Sequence, residues 1–459
     1  MFRRNKASHF RSESCNVLNY PDPESDMRYS ADSTRAGTAR ASRASWLNKL
    51  GPGLITGAAD DDPSGIATYS QAGARFGYGL LWTLLFTYPL MAGVQIVSAR
   101  IGRVTGHGLA TNIRRFYPSW LLYSVVTLLL LANTINIGAD LAAMGGALQL
   151  AIGGPERLYA AGFGVLSIVL QVFIPYSRYV RGLKWLTLAL LAYVGTVFVV
   201  HIPWSQVSAA ALFPLPPWQS DYLTTMVAVF GTTISPYLFF WQASQEVEEL
   251  HANPPQQPLK MQPQRARTDF SRIKVDTYIG MGFSNLVAFF IMLTTAVTLH
   301  THGITDIQTS AQAAQALRPI AGNFAFTLFS AGIIGTGLLA IPVLAGSAAY
   351  AMAGAFKWES SLEDKPALAP RFYGIIVLST LVGVALGFTP VDPIRALYWS
   401  AVINGVISVP IMAVMMLIAA RPDIMGKLVV TRRLKALGWL ATAIMALAVV
   451  AMFITPLAG

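Results

Sequence analysis

Long apolar segments separated by short polar stretches dominate the chain from about residue 50 to its end. A helix that crosses a bilayer needs about 20 mainly apolar residues. The pattern therefore predicts an all-α membrane protein with about eleven transmembrane helices, called the first to the eleventh span below. They cover residues 52–72, 78–101, 119–149, 158–175, 184–202, 221–248, 276–300, 320–355, 371–389, 394–419 and 435–456.

Basic residues are concentrated in alternate loops. Nine Lys and Arg residues precede the first span, between Arg3 and Lys49. The loops after the second, fourth, sixth, eighth and tenth spans are also basic, whereas residues 203–220 contain no Lys or Arg and residues 301–319 contain only Arg318. Because Lys and Arg accumulate in cytoplasmic loops, this alternation predicts an N-terminus in the cytoplasm and a C-terminus outside.

The composition supports the same protein class. The chain is 54% hydrophobic and 12% charged, against about 25% charged residues in a soluble domain. Its net charge of +11 lies in the loops and the N-terminal segment. Such a distribution is typical of a chain whose basic residues set its orientation in the membrane and attract anionic lipid, and it does not indicate nucleic-acid binding. The single cysteine, Cys15, excludes a disulfide within the chain and a cysteine metal site. Residues 1–45 are polar and predict a disordered cytoplasmic tail, followed by one transmembrane transporter domain over 46–456.

Three consecutive aspartates, Asp60, Asp61 and Asp62, interrupt the first span and are followed by Pro63. Each carboxylate at membrane depth costs at least about 2.5 kcal/mol. The proline removes a helical hydrogen bond and frees backbone carbonyls. Aspartates at the carboxyl end of a half-helix are repelled by its partial negative charge unless a cation is present. The cluster therefore predicts a cation site, whereas two kinked helices without a ligand would explain the proline but not the carboxylates.

A second polar break, Gly231 to Pro236, lies in the sixth span. The two broken spans, the first and the sixth, each begin a predicted repeat of five spans. Because five is an odd number, the second repeat enters the membrane from the side opposite to the first. Broken helices at matching positions of two inverted halves indicate the binding site of a transporter. The predicted repeats cover about 50–202 and 221–419, and the helix at about 435–456 is an addition.

Several ordered motifs resemble the Nramp family of divalent-metal transporters across roughly residues 50–456. They are Gly51 to Ile55, the Asp62-Pro63 break, Ala72 to Tyr78, Leu80 to Trp82, Ser98 to Gly106, Ala139 to Ala142, and Asp423 to Gly426. The resemblance implies the LeuT-type five-plus-five inverted repeat with broken first and sixth helices.

The chain departs from the pattern of the manganese- and iron-carrying members of that family. Their first span has Asp-Pro-Gly-Asn, which here becomes Asp62 to Gly65, so the asparagine ligand is lost. Their Met-Pro-His becomes Ser235-Pro236-Tyr237, and an alanine three residues earlier becomes Thr232. The resemblance therefore implies a metal site at Asp62, Gly65, Thr232, Ser235 and Tyr237 without thioether or imidazole.

Other polar residues leave two interpretations open. Asp61 and Asp60 either line the inner vestibule or lie at a wetted boundary. Asn404 in the tenth span is near the place of a family glutamine ligand, but an interhelical hydrogen bond explains it equally well. Glu246, Glu248 and Glu249 end the sixth span, where they either concentrate cations at the exit or form a solvated charge run, which is the preferred interpretation. Two acidic residues of the family's proton route map by spacing to Asn133 and Ala143, while Asp140 remains.

These substitutions remove soft ligands and proton carriers and leave oxygen donors, which suit a partly hydrated Mg²⁺. They resemble the Nramp-related magnesium-transporter branch. We expect import of Mg²⁺, with Mn²⁺ as a further cargo, without obligatory proton coupling, by a monomer in a bacterial inner membrane that binds no cofactor. The alternative is a proton-coupled Mn²⁺/Fe²⁺ importer. A membrane sensor and an organic-solute symporter have less support, and no Gly-rich phosphate loop or partnered nucleophile indicates an enzyme.

Overall fold

The computed structural model describes residues 56–57, 59–174, 189–214, 217–252, 256–362 and 366–458, and these residues contain no β-strand. Their α-helices are α1 (Pro63–Phe76), α2 (Leu81–Thr105), α3 (Leu109–Phe116), α4 (Ser119–Ile152), α5 (Glu156–Phe173), α6 (Leu191–Val197), α7 (Trp204–Leu212), α8 (Ser220–Thr233), α9 (Pro236–Ala252), α10 (Ala266–Thr298), α11 (Ser310–Gln315), α12 (Arg318–Ala321), α13 (Ala325–Phe356), α14 (Pro370–Leu386), α15 (Pro393–Ala420), α16 (Pro422–Met425) and α17 (Arg432–Ala458). The predicted tail 1–45 and the basic residues Arg178, Arg181 and Lys184 lie outside the described residues.

Eight helices of the described part are long and apolar enough to cross a membrane, judged by length and composition. They correspond to the second, third, fourth, sixth, seventh, eighth, tenth and eleventh predicted spans. The ninth is α14, an apolar helix of 17 residues. The first and fifth predicted spans lie partly outside the described residues, so the total of eleven stays a prediction.

Both predicted helix breaks are present. The sixth span consists of α8, which ends at Thr233, and α9, which begins at Pro236. The first span bends at Asp61, and its second half α1 begins at Pro63. In each case a proline opens the second half-helix, a position at which no backbone N–H is required. The polar loops also contain short helices that the hydrophobic pattern did not predict: α3, α7, α11, α12 and α16.

The two breaks lie beside α15 because small residues allow close approach. A Cβ built on Gly231 of α8 would lie 2.1 Å from the carbonyl oxygen of Ala401 and 2.5 Å from the nitrogen of Gly405 in α15. Any side chain at Gly231 would therefore push the two helices apart. Small residues at helix contacts are typical of packing within membranes.

The basic loops meet at one end of the helix bundle. Lys260, after the sixth span, donates from its backbone N to Val104 O at 3.1 Å and from Nζ to Asp423 O at 2.9 Å. Arg114, after the second span, donates from Nη1 to Gly354 O of α13 at 2.7 Å. The loops after the second, sixth, eighth and tenth spans therefore lie on one side, as the charge alternation predicted.

Single-cysteine labelling tests on which side of the membrane this end lies. In a Cys15→Ser background, we expect Ser205→Cys on exposed α7 to react with an impermeant maleimide from outside, because its loop lacks basic residues. Gln264→Cys, exposed in the basic loop before α10, should react only after permeabilisation. The Cys15→Ser protein without a new cysteine is the unlabelled control. Labelling of both positions from outside would contradict the predicted topology.

Candidate cation site

Asp62 lies between the two halves of the broken first span. The chain is helical at Asp60, bends at Asp61 and is extended at Asp62 (φ −70°, ψ 169°) before α1 begins at Pro63. The Gly65 N–H donates to Asp62 Oδ1 at 2.7 Å, so Asp62 is the N-cap of α1. The positive end of α1 therefore favours the ionised carboxylate of Asp62. The repulsion expected for all three aspartates applies only to the two that end the preceding half-helix.

The second carboxylate oxygen of Asp62 faces neutral donors from two other helices. Asn136 Nδ2 of α4 lies 3.0 Å from Asp62 Oδ2, and the hydroxyl of Tyr237 lies 3.5 Å from the same atom. Tyr237 also donates to Ala59 O at 3.2 Å, so it joins the two breaks. Asp62 is 3% exposed, and no salt bridge within the described residues includes it. A buried carboxylate with only neutral partners is expected to attract a cation.

A polar network extends from Asp62 into α4 and α15. Asn136 Nδ2 is also 3.3 Å from Asp140 Oδ2, and Asn136 Oδ1 accepts from Ser400 Oγ at 2.7 Å. Ser400 Oγ in turn lies 3.1 Å from Ser64 Oγ of α1. Asp140 is fully buried, and its Oδ1 has no hydrogen-bond partner in the described part of the chain. The network therefore fixes the position of Asp62 and leaves one carboxylate oxygen of Asp140 free.

Asn136 was missed by the sequence reasoning. It lies four residues before Asp140, so both side chains project from the same face of α4. This spacing could have indicated Asn136. The resemblance to the family instead indicated Asn133, the position to which an acidic residue of the family's proton route maps. Asn133 instead donates to Leu344 O and Ser347 Oγ, both at 2.8 Å, and joins α4 to α13.

The predicted hydroxyl ligands of the sixth span make local hydrogen bonds. Ser235 Oγ lies 2.8 Å from both Gly231 O and Thr232 O. Thr232 Oγ1 lies 2.8 Å from the hydroxyl of Tyr69 in α1. Within the described hydrogen bonds, neither side chain is joined to Asp62. Both therefore lie at the break with the hydroxyl proton engaged and oxygen lone pairs that remain available to a cation.

Three polar residues at a spacing of four face the breaks from α15. Ser400 belongs to the Asp62 network, and Ser408 donates to Ile234 O at 2.7 Å at the break between α8 and α9. Asn404 lies between them, is 2% exposed, and has no partner for Oδ1 among the described residues. This position between the two breaks makes Asn404 Oδ1 a candidate ligand rather than part of a satisfied interhelical hydrogen bond.

Asp60 and Asp61 face a different helix from Asp62. Ser284 Oγ of α10 lies 2.7 Å from Asp60 Oδ2 and 3.1 Å from Asp61 Oδ1. A Cβ on Gly57 would lie 2.3 Å from the backbone of Gly280, so the first half-helix packs tightly on α10. Both carboxylates are buried, which places them within the protein rather than at a wetted boundary.

The interpretation of Glu246, Glu248 and Glu249 as a solvated charge run is wrong. Glu246 is fully buried and accepts from Arg272 of α10 at 2.6 Å, and Glu249 lies 3.0 Å from the same guanidinium. Glu248 Oε1 accepts from the hydroxyl of Tyr350 at 2.8 Å. The sixth span continues as α9 to Ala252, so these carboxylates lie against neighbouring helices instead of in a loop.

The donor set at the breaks consists of oxygen atoms. It contains the Asp62 carboxylate, the hydroxyls of Tyr237, Ser235 and Thr232, and the amide oxygen of Asn404. No group of three or more His, Cys, Asp or Glu side chains in the described part could hold a metal ion. The candidate donors at the two breaks are therefore the buried Asp62 carboxylate and neutral oxygen atoms, the ligand type that hard cations prefer.

The family comparison covers most of the chain. Residues 53–455 match the family model described as Nramp, natural resistance-associated macrophage protein-like. Two curated relatives, both named divalent metal cation transporter MntH and both from Klebsiella pneumoniae strains, are 27% and 26% identical over 421 residues. Each alignment covers 89% of this chain and 94% of the relative.

Solved structures show the same fold at lower sequence identity. A manganese transporter from Eremococcus coleocola has a TM-score of 0.67 and 18% identity, over 88% of this chain and 85% of that one. Mhp1, a nucleobase-cation-symport-1 family transporter, has a TM-score of 0.55 and 12% identity, over 89% and 92%. MhsT, solved with L-phenylalanine, has a TM-score of 0.56 and 13% identity, over 90% and 98%. The fold is thus the LeuT-type transporter fold that the family resemblance implied.

The change Asp62→Asn tests the cation site. It keeps an N-cap acceptor of the same shape but removes the charge. We expect Mg²⁺ to raise the Tm of the purified parent, since a ligand at 100 times its Kd stabilises by about 2.7 kcal/mol. Mg²⁺ should raise the Tm of the Asp62→Asn protein much less. Thermal unfolding in detergent with and without Mg²⁺ measures both.

The matched control is Asp276→Asn, the same change at a buried aspartate of α10. It should keep the Mg²⁺-dependent rise in Tm. Equal stabilisation of the parent and Asp62→Asn by Mg²⁺ would contradict the site.

Proposed function

The chain belongs to the Nramp family, a family of multi-pass membrane transporters rather than enzymes, and we propose that it imports Mg²⁺, with Mn²⁺ as a secondary cargo. The observation that carries the proposal is the Asp62 carboxylate, buried between two helix breaks and hydrogen-bonded only by neutral groups. We further propose a monomer in a bacterial inner membrane with its N-terminus in the cytoplasm. The repeat boundaries and the single domain over 46–456 belong to the same proposal.

Each ligand has a distinct proposed role. Asp62 supplies the negative charge, and Tyr237 and Asn404 supply neutral oxygen from α9 and α15. Thr232 and Ser235 supply hydroxyl oxygen at the carboxyl end of α8, whose partial negative charge also attracts a cation. Gly65 leaves room beside the carboxylate.

Asp61 has a proposed role in the ion path. It lies with Asp60 on the α10 side, where two buried carboxylates share the single hydroxyl of Ser284. A cation that leaves Asp62 would find the next negative charge there. We therefore assign Asp61 to the path of the ion rather than to the set of atoms around Asp62.

The oxygen donors favour a hard cation. Mg²⁺ prefers oxygen ligands at about 2.0–2.1 Å and gives up its waters reluctantly. A thioether would favour softer transition metals, but Ser235 stands at that position. A site with one carboxylate and several neutral oxygens lets Mg²⁺ keep some of its waters as ligands. The protein then has to offset only part of the free-energy cost of dehydration.

The membrane potential can drive import without another ion. Moving one charge across 100 mV is worth about 2.3 kcal/mol, and a divalent cation gains about twice that. The position of the cationic imidazole in the family's sixth-span motif is taken by Tyr237. Uncoupled import driven by the gradient and the potential is therefore the proposed mechanism.

A proton-coupled Mn²⁺/Fe²⁺ importer is the second candidate. The observation that favours it is Asp140, which is fully buried one hydrogen bond away from the partner of Asp62 and has an unpartnered Oδ1 among the described residues. Such a carboxylate can exchange a proton when the charge at Asp62 changes. Proton coupling through Asp140 would distinguish this candidate from the first.

Ion-resolved uptake into proteoliposomes separates the two candidates. With an inside-negative potential, we expect Mg²⁺ to enter faster than Ca²⁺, while an internal pH dye shows no acidification beyond that of empty liposomes. Uptake by Asp140→Asn should remain similar to that of the parent. Acidification that tracks metal uptake and disappears in Asp140→Asn would establish the proton-coupled importer instead.

The change Ser235→Met, alone and with Gly65→Asn, tests the origin of selectivity. The thioether and amide offer stronger bonds to Mn²⁺ or Cd²⁺ in exchange for waters, whereas Mg²⁺ gains less from them. We therefore expect Cd²⁺ binding to strengthen and Mg²⁺ transport to fall. Calorimetry with both ions on parent and variants measures the binding change.

Ser235→Ala is the matched control, because it removes the hydroxyl hydrogen bonds without adding sulfur. It should not strengthen Cd²⁺ binding. In the double variant the Tyr69 ring must shift, since a Cβ at Gly65 would lie 3.3 Å from its Cε2. Tight Cd²⁺ binding by the parent with no response to Mg²⁺ would favour the second candidate.

A further inference from the structure

A cavity of about 380 Å³ opens at the basic end of the bundle, away from the residues around Asp62. Its walls come from the loop between α2 and α3, from α3 itself, from the last turns of α9, and from the end of α13 and the residues that follow it. The hydrogen bond from Arg114 Nη1 to Gly354 O joins two of these walls at 2.7 Å. A volume of this size is in the range of small-ligand pockets, about 300–1,000 Å³.

Cationic and imidazole side chains dominate the ionisable lining. Arg114, Lys357, His107 and His251 all line the cavity. Arg114 and His107 are half-buried, whereas Lys357 and His251 are exposed. Arg114 uses one N–H for Gly354 O and has further guanidinium donors for a ligand.

Among the described residues, the one acidic side chain of the lining is already engaged. Glu248 Oε1 accepts from the hydroxyl of Tyr350 at 2.8 Å, and Glu248 Oε2 accepts from Ser361 Oγ at 2.9 Å. The carboxylate therefore serves as a structural acceptor between α9 and the end of α13. It does not form an ion pair with Arg114 or Lys357 in the described part of the chain.

The pKa of His107, which lies in the loop between α2 and α3, responds to the positive charge of the cavity lining. Burial lowers its pKa below the ordinary value, and the positive charges of Arg115, Arg114 and His251 lower it further. The cavity wall at His107 is thus a region of positive potential.

The backbone at Lys357 is held in an unusual conformation. Lys357 ends α13 at φ 62°, ψ 35°, and it is the only non-glycine residue with positive φ among the described residues. Glycine is the usual residue at this helix-ending position, because a Cβ in the left-handed conformation is strained. Retention of a cationic side chain at a strained position on the cavity wall indicates a use for its ammonium group.

We propose that this cavity binds a phosphate group, held by Arg114 and Lys357, as a site separate from the transported cation. Guanidinium and ammonium groups are the side chains that bind phosphate oxygens most strongly. The phosphate belongs either to a lipid headgroup or to a free phosphate compound, since the cavity lies at one end of the membrane-spanning bundle. The proposal does not depend on the transport mechanism, because none of its residues contacts Asp62.

Calorimetry with inorganic phosphate on the full-length protein in uncharged detergent tests the site. We expect saturable binding at constant ionic strength, weakened about tenfold or more in Arg114→Gln and Lys357→Gly, the loss expected for one charge-assisted hydrogen bond. Lys357→Gly should also unfold at the same or a higher temperature, because it relieves the positive φ. A purely structural lysine would give that stability change without loss of phosphate binding, which would overturn the proposal.

The control is Lys427→Gln, an exposed lysine at the same end that does not line the cavity. It should bind phosphate like the parent, as should Asp62→Asn, so failure of the cation site leaves this test unaffected. An equal loss in Lys427→Gln, or no saturable binding by the parent, would contradict the phosphate site.

Nanodiscs separate the two sources of phosphate. If a lipid headgroup is the occupant, added inorganic phosphate should bind in phosphatidylcholine discs but be displaced in discs that contain phosphatidylglycerol. If a free phosphate compound is the occupant, binding should be equal in both discs. Each result supports the site only when Arg114→Gln weakens phosphate binding about tenfold or more in the same discs, and binding as tight as that of the parent in Arg114→Gln overturns it.

Discussion

The fold depends on the interruption of two helices at the same depth around one carboxylate. Asp62 caps α1 through Gly65, accepts from Asn136 of α4 and lies within reach of Tyr237 of α9. In an uninterrupted helix, the backbone N–H groups near Asp62 would all bond within the helix and could not stabilise the carboxylate. The break therefore converts an expensive buried charge into the negative centre of a polar site.

The two carboxylate environments of the first span have different physical origins. Asp62 is stabilised by the positive end of α1, whereas Asp60 and Asp61 follow the carboxyl end of the preceding half-helix and share Ser284. A cation near Asp62 therefore enters a site whose charge is already partly balanced by dipoles. Such a site suits transport, in which the ion must bind and also leave.

The hydrophobic pattern predicted the spans that lie within the described residues, the prolines predicted the two breaks, and the basic residues predicted the common side of their loops. These patterns could not predict the contact of Asn136 with Asp62, because it depends on how α4 packs across the bundle, 74 residues away in sequence. They also misplaced Glu246, since the burial of a charge at a helix end depends on the partner, here Arg272 on α10. Spacing along one helix predicts which side chains share a face, but not which neighbour they meet.

The helix α9 connects the site to the basic end of the protein. Tyr237 in its first turn touches both breaks, and Glu246 near its other end is buried against Arg272. A movement of α9 away from α10 would separate this ion pair and leave Glu246 without its partner, which is strongly unfavourable in a buried position. Tyr237 and Glu246 therefore hold α9 at two points about two and a half turns apart, by a neutral hydroxyl at the breaks and by an ion pair nearer the basic end.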